Sequence, residues 1–144
     1  MLLAGRNQSA LSHRQIDYCR QAWAVLCGER KRRLVTTEAS RHSSRTRFNE
    51  LDGLVHLGAD VGPGNGIEAN SRMSVLACLA HELAHAERFE LGFQRDITLP
   101  HNLIDEAEAS LHASFHSALS RKDREDLVED ARDRLNQWFV ERLG

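Results

Sequence analysis

The segment Val75–Phe89 is rich in alanine and leucine and carries two histidines, His81 and His85, four residues apart. Residues four apart lie on one face of an α-helix, so both imidazoles can bind the same metal ion. Glu82 lies about 100° around the helix axis, where its carboxylate can take a proton from water. This H-E-x-x-H spacing predicts a helix with a zinc site, in which His81 and His85 are ligands and Glu82 is the general base.

The size and charge of the chain favour a small globular protein. It has 144 residues, of which 41% are hydrophobic and 28% charged, and a formal net charge of -2. This length has room for one domain, which we expect to span residues 1–144. The small net charge argues against a general nucleic-acid-binding role. Basic residues concentrate between Arg30 and Arg47, which is either a solvated surface or a site for a phosphate or an acidic protein partner.

Cysteine usage and hydropathy bear on the compartment. The three cysteines include no C-x-x-C pair and imply no disulfide framework, which fits a reducing environment. The first eight residues are too short and too soon polar for a signal peptide, and no apolar run approaches the roughly 20 residues of a membrane span. We therefore expect a cytoplasmic protein with no membrane segment.

Hydrophobic periodicity and turn residues predict an α+β fold. The β-branched segment Leu34–Thr37 and two strands on either side of an Asp52–Gly53 turn predict a short antiparallel sheet. The second of these two strands is expected to continue through Val55–Val61, where apolar residues alternate.

Four helices are predicted around this sheet. Capping residues and breakers place their ends as follows: an N-terminal helix from Ser9 or Ser12 to Gly28, the H-E-x-x-H helix from Asn70 or Ser71 to Gly92, a third from near Leu103 with Asn102 and Asp105 as a capping box, and a C-terminal helix after Ser120. The first should bury Ile16, Cys19, Trp23 and Leu26.

A hydrolytic zinc site needs a third protein ligand. Leu91 stands where metzincins have their third histidine, which excludes that class. Asp105, Glu106 and Glu108 lie on the next predicted helix. Measured from the apolar stripe at Ile104, Glu108 lies about 40° away, Asp105 about 100° and Glu106 about 200°. We therefore expect Glu108 to be the ligand and keep Asp105 and Glu106 as alternatives.

Other polar side chains are candidates for supporting roles. His112 follows Glu108 by one helical turn and could hydrogen-bond a ligand or the substrate. Oxyanion stabilisation could come from His101, His112, His116 or Tyr18, among which the sequence does not choose.

The segment Arg72–Phe115 resembles the ImmA/IrrE family of compact zinc metallopeptidases, with a broader likeness to gluzincin sites. The likeness rests on the run ending in His81–His85 and on the acidic segment Asp105–Ala113. It implies zinc bound by both histidines and a later glutamate, with Glu82 as general base. It also implies that a strand near Val55–Val61 holds an extended peptide. Members of that family often cut regulatory proteins in stress or defence pathways, so such a protein is a candidate substrate, but the resemblance does not identify the substrate.

Two features depart from the pattern of that family. The third ligand there usually has Asn or Asp four residues later, whereas Glu108 is followed by His112 and Glu106 by Ser110. The common Leu-Leu-Met-Pro ending of that helix is also missing. These departures leave the third ligand open.

Three functions follow as hypotheses. The leading one is a zinc-dependent endopeptidase that hydrolyses a protein or peptide substrate, with Glu82 as the base. The second is a catalytically inactive binding module that keeps the zincin fold and uses Arg30–Arg47 to hold a partner. The third is a di-iron carboxylate helical protein, because Glu82 and His85 have E-x-x-H spacing, although no second such pair accompanies them.

Overall fold

The computed structural model describes residues 5–94 and 98–143. The α-helices are α1 (His13–Cys27), α2 (Ala69–Arg72), α3 (Val75–Glu90), α4 (His101–Ser114) and α5 (Arg121–Leu143). The strands are β1 (Leu34–Val35), β2 (Arg47–Asn49) and β3 (Leu54–His56), and a 3₁₀ turn spans Ala59–Val61. The architecture is therefore rich in helix with one small sheet, compatible with the predicted α+β class.

Helix α3 lies at the centre of the fold. It packs against α1, α4, α5, the 3₁₀ turn and both strands of the hairpin. Every residue from Leu79 to Ala86 is buried, so this part of the helix has no solvated face. His81 and His85 therefore lie inside the protein. A helix surrounded in this way needs small side chains where neighbours approach, which explains its alanines.

Helix α1 forms as its sequence predicts. The Ser12 hydroxyl accepts a hydrogen bond from the backbone of Gln15, and the Gln15 side chain accepts one from the Ser12 backbone, completing a capping box. The four predicted core residues Ile16, Cys19, Trp23 and Leu26 are all buried.

The sheet is mixed, and the prediction of an antiparallel sheet is wrong for one of its two pairings. Strands β2 and β3 form the predicted antiparallel hairpin, with Gly53 at φ 70° in its turn. Strand β1 pairs with β3 in parallel, giving the order β1-β3-β2. The long connection between β1 and β3 permits this crossover.

Strand β3 ends at His56, so the predicted strand through Val61 is also too long. The backbone then turns into the 3₁₀ segment, which still buries Ala59 and Val61. Because β3 has a neighbour on each side, it has no edge on which a peptide could pair. The expectation that this strand holds an extended substrate is therefore wrong; β2 is an edge strand.

Two predicted helix starts are also corrected. Ser74, whose hydroxyl accepts from the backbone of Ala77, caps α3, and Asn70 and Ser71 belong to the separate short helix α2. Helix α4 begins at His101 after Pro100 and shows no side-chain cap, so the Asn102 capping box does not form.

Helix α5 begins after Ser120, as predicted, and packs along α4. The buried apolar part of this helix is short, because Leu127 and Ala131 are buried whereas Leu135 and Leu143 are exposed. Three charged residues, Asp126, Asp130 and Arg134, lie on the same buried face.

No helix within residues 5–94 and 98–143 is long and apolar enough to cross a membrane.

Candidate metal centre

Helix α3 holds the two histidines with their Nε2 atoms facing each other. These atoms are 3.1 Å apart, and the imidazole planes are close to perpendicular at 85°. Both rings are buried. The i, i+4 spacing therefore places two imidazole nitrogens at one point, as the sequence predicts.

Glu106 on α4 is the carboxylate that meets this pair. Its Oε2 is 2.8 Å from Nε2 of His81, and its Oε1 is 3.2 Å from Nε2 of His85. Among the described residues, His81, His85 and Glu106 form the group of possible metal ligands, and all three are buried. The prediction that Glu106 points away from the histidines is wrong.

The structure does not bring Glu108 to the histidines. Glu108 is exposed, and its carboxylate accepts a hydrogen bond from Arg88 at 2.7 Å. Asp105 lies nearer, with its Oδ2 3.7 Å from Nδ1 of His85, the ring nitrogen that faces away from His81. Burial raises the pKa of Asp105. The Asp105 carboxylate therefore lies on the Nδ1 side of the His85 ring, away from the Nε2 atoms that could bind a metal.

The size of the side chains on α4 explains why the helical wheel misplaced the ligand. The apolar stripe that begins at Ile104 continues through Leu111 to Phe115 just after the helix, but both of these large side chains are exposed. The buried face instead carries small residues such as Ala107, Ser110 and Ala113, because α4 is enclosed between α3 and α5. Glu106 belongs to that face.

Ser110 connects His81 to α5. Its Oγ donates a hydrogen bond to Oδ2 of Asp130 at 2.7 Å and lies 2.8 Å from Nδ1 of His81. A hydroxyl has one proton, and a carboxylate only accepts, so Ser110 must accept from His81. Nδ1 of His81 therefore carries a proton, and Nε2, which faces Glu106, is the ring nitrogen that would bind a metal in place of its contact with that carboxylate.

Arg134 completes this buried network. Its Nε donates to Oδ2 of Asp130 at 2.8 Å, and a terminal nitrogen donates to Oε2 of Glu106 at 3.2 Å. Burial by itself would lower the pKa of Arg134, but Asp130 and Glu106 outweigh it and raise that pKa. The Glu106 pKa behaves in the opposite way. Burial would raise it, but chiefly the charge of His85 and a hydrogen bond from His81 hold it well below its usual range.

Sequence reasoning missed Ser110, Asp130 and Arg134. The signal for the two residues on α5 was their spacing. Asp130 and Arg134 follow Leu127 at i+3 and i+7 and so lie on the apolar face of that helix. A charged pair on a buried face requires charged or polar partners from a neighbouring helix.

The two imidazole nitrogens and the carboxylate of Glu106 are spaced much as zinc ligands are. Two nitrogens bound at about 2.0–2.1 Å by a tetrahedral ion lie about 3.4 Å apart. The two nitrogens are 3.1 Å apart, that of His81 is 2.8 Å from Oε2 of Glu106 and that of His85 is 3.2 Å from Oε1, all within about 0.6 Å of that value. Two imidazoles and one carboxylate also match the composition of hydrolytic zinc sites. The residues present therefore fit a zinc ion.

Glu82 lies beside the cluster on the wall of a cavity of about 340 Å³, which His81 and Glu106 also line. Its Oε1 is 3.9 Å from Nε2 of His81. Its Oε2 is buried and has no hydrogen-bond partner in the described part of the chain. A buried carboxylate oxygen without a donor is costly for the fold, and its position suits a group that binds a water proton.

The four candidates for oxyanion stabilisation lie elsewhere. His112 is 3.4 Å from Glu87, and Nε2 of His116 is 2.7 Å from the carbonyl of Leu26. His101 and Tyr18 are exposed and are not among the residues that line the cavity. The structure therefore does not bring these side chains to the site.

Comparison of this chain with protein-family models, curated proteins and solved structures finds no match. A function for this chain is therefore inferred from the geometry of the site.

Proposed function

We propose that this protein is a zinc-dependent metallopeptidase, an endopeptidase that cleaves a protein substrate in the cavity beside His81. The observation that carries this proposal is the buried group of His81, His85 and Glu106, with the unpaired carboxylate of Glu82 on the same cavity wall. Zinc at this position would supply a Lewis acid that polarises a carbonyl and makes water a stronger nucleophile.

Each residue of the site then has a separate role. His81 and His85 present Nε2 lone pairs, and Glu106 presents a carboxylate. Glu82 takes a proton from the attacking water and passes it to the leaving amine when the peptide bond breaks. Ser110 keeps the proton of His81 on Nδ1, and Arg134 balances the charge of Glu106.

The residues that line the cavity support a peptide as the substrate. Arg45, Thr46 and Arg47 form part of its wall, and Arg47 is the first residue of the edge strand β2. An extended peptide could pair with such an edge and place one of its carbonyls beside Glu82. A zincin-like fold and a protein substrate, as the ImmA/IrrE resemblance implies, belong to this proposal.

The di-iron hypothesis is less well supported. Such sites use a glutamate from each of two helices and an E-x-x-H pair from each of two others. The group of possible ligands among the residues described contains one carboxylate, that of Glu106. One ion bound by two histidines and one glutamate fits this arrangement better.

The test compares new protein termini in cells that express the native chain or Glu82→Gln. The glutamine keeps the size of the side chain and removes the base, while the zinc ligands remain. Glu87→Gln is a matched control on the same helix, outside the cavity. We expect cleavage products with the native chain and the control that are missing with Glu82→Gln. Identical termini in all three, with a partner captured equally by all, would support an inactive zinc-binding module instead.

A further inference from the structure

The cavity beside His81 is rich in positive charge. Four arginines line it, against three carboxylates: Arg6, Arg45, Arg47 and Arg134 against Asp60, Glu82 and Glu106. The lining therefore holds one arginine more than carboxylates, and an arginine that no carboxylate neutralises attracts anionic groups.

Three of the four arginines are engaged within the protein. Arg6 donates to backbone carbonyls, including that of Val61 at 2.6 Å, and Arg134 donates to Asp130 and Glu106. Arg47 donates to Glu38 at 2.6 Å. Arg45 differs, because its exposed side chain has no hydrogen bond or ion pair within the described ranges.

The backbone on both sides of Arg45 is nevertheless held firmly. The amide of Thr46 donates to Oδ1 of Asp60 at 2.6 Å, and the Ser44 hydroxyl accepts from the amide of Ala59 at 2.8 Å. At Gly58, an added Cβ would lie 2.3 Å from the carbonyl carbon of Arg45, so the two backbone segments are in direct contact. The fold thus fixes the base of a long cationic side chain at the cavity wall.

We infer that Arg45 determines substrate specificity by binding a carboxylate of the peptide near the cleaved bond. A guanidinium binds a carboxylate through two parallel hydrogen bonds, and a fixed backbone reduces the ordering that this contact requires. The carboxylate belongs either to an aspartate or glutamate side chain or to the C-terminus of the peptide. The inference rests on the proposed function, because it takes a peptide as the ligand.

Binding of uncut peptides tests this inference. Glu82→Gln protein, with and without added zinc, is titrated into dye-labelled octapeptide mixtures, each with one position fixed as Glu or Gln and the others randomised. Each mixture is made with a free or an amidated C-terminus, and fluorescence anisotropy reports binding. We expect tighter binding for Glu at one position if a side chain is recognised, or for the free terminus if the terminal carboxylate is recognised.

The role of Arg45 is tested by adding Arg45→Gln to the Glu82→Gln protein, with Arg41→Gln as the matched control. Arg41 is an exposed arginine of the same basic segment and does not line the cavity. We expect Arg45→Gln to weaken binding of the preferred acidic mixture about 10- to 100-fold and to leave its neutral counterpart nearly unchanged. The control should show neither effect.

Failure of this inference is distinguishable from failure of the proposed function. Equal binding of acidic and neutral mixtures, an equal loss in the control, or no binding of any mixture would overturn the role of Arg45, whether or not the native chain cuts proteins. A preference for carboxylate that depends on Arg45, with no cleavage by the native chain, would retain the binding role and overturn the peptidase.

Discussion

The buried arginine on α5 gives a prediction about stability. Arg134→Met removes the positive charge from a network in which Arg134 is 7% exposed and bonds Asp130 at 2.8 Å and Glu106 at 3.2 Å. The variant leaves two buried carboxylates without this donor. Removing one partner of a buried ion pair costs about 3–5 kcal/mol. A domain of this length has a free energy of unfolding of about 7–20 kcal/mol, so the loss is a large part of the total.

Thermal unfolding of the zinc-free protein, followed by circular dichroism, measures this loss. At about 3–4 °C per kcal/mol for a chain of this size, Tm should fall by about 10–20 °C. Arg132→Met is the matched control, because that side chain is 69% exposed on the same helix and its change should stay within about 0.5 kcal/mol. Adding Asp130→Asn to Arg134→Met should recover part of the loss, since it removes one of the stranded charges. Equal Tm values for Arg134→Met and Arg132→Met would refute the buried network.

Three further outcomes follow from the site and the fold. Protons compete with a metal for imidazole nitrogens, so zinc occupancy in equilibrium dialysis should fall as the pH is lowered; full retention against chelator at about pH 4.5 would contradict a site with two histidine ligands. In zinc-free protein, the lowered pKa of Glu106 contributes stability that is present above the usual carboxyl range, near pH 4.5, and is lost as pH falls through the lower folded-state pKa. Urea titrations at acid pH should therefore show that the free energy of unfolding of Glu106→Gln depends less on pH than that of the native chain. An equal dependence in the two proteins would disprove this. Gly58→Ala should destabilise by about 1–3 kcal/mol, because its Cβ would overlap the backbone of Arg45, whereas Gly62→Ala meets only an ordinary contact at 3.7 Å. Equal Tm values for these two variants would contradict that close approach.

The elements that depend only on residues close together in the sequence could be predicted from it. Helix α1 has its cap at Ser12 and its four buried residues at helical spacing, so both its start and its face could be predicted. The hairpin turn at Asp52–Gly53 and the start of α5 after Ser120 are local features of the same kind. The histidine pair also depends only on the geometry of one helix.

Features that depend on packing between distant elements could not be predicted in the same way. The parallel pairing of β1 with β3 joins segments about twenty residues apart, and no local pattern specifies its direction. The buried face of α4 carries alanine and serine because two helices enclose it, so a wheel centred on large apolar residues selected Glu108 over Glu106. Glu108 lies at the surface instead, where its carboxylate forms an ion pair with Arg88. The third ligand is a tertiary feature of the fold.

The most direct test of the metal centre is the zinc content of purified protein, measured by inductively coupled plasma mass spectrometry, for the native chain, Glu106→Gln and Glu108→Gln. Changes to residues that only support a ligand lower metal affinity about 10- to 100-fold, so loss of a ligand carboxylate should lower it by at least about 100-fold. We predict about one zinc per chain in the native protein and in Glu108→Gln, and little zinc in Glu106→Gln after dialysis against a weak chelator. A native chain without zinc, or zinc kept by Glu106→Gln and lost by Glu108→Gln, would contradict a centre formed by His81, His85 and Glu106.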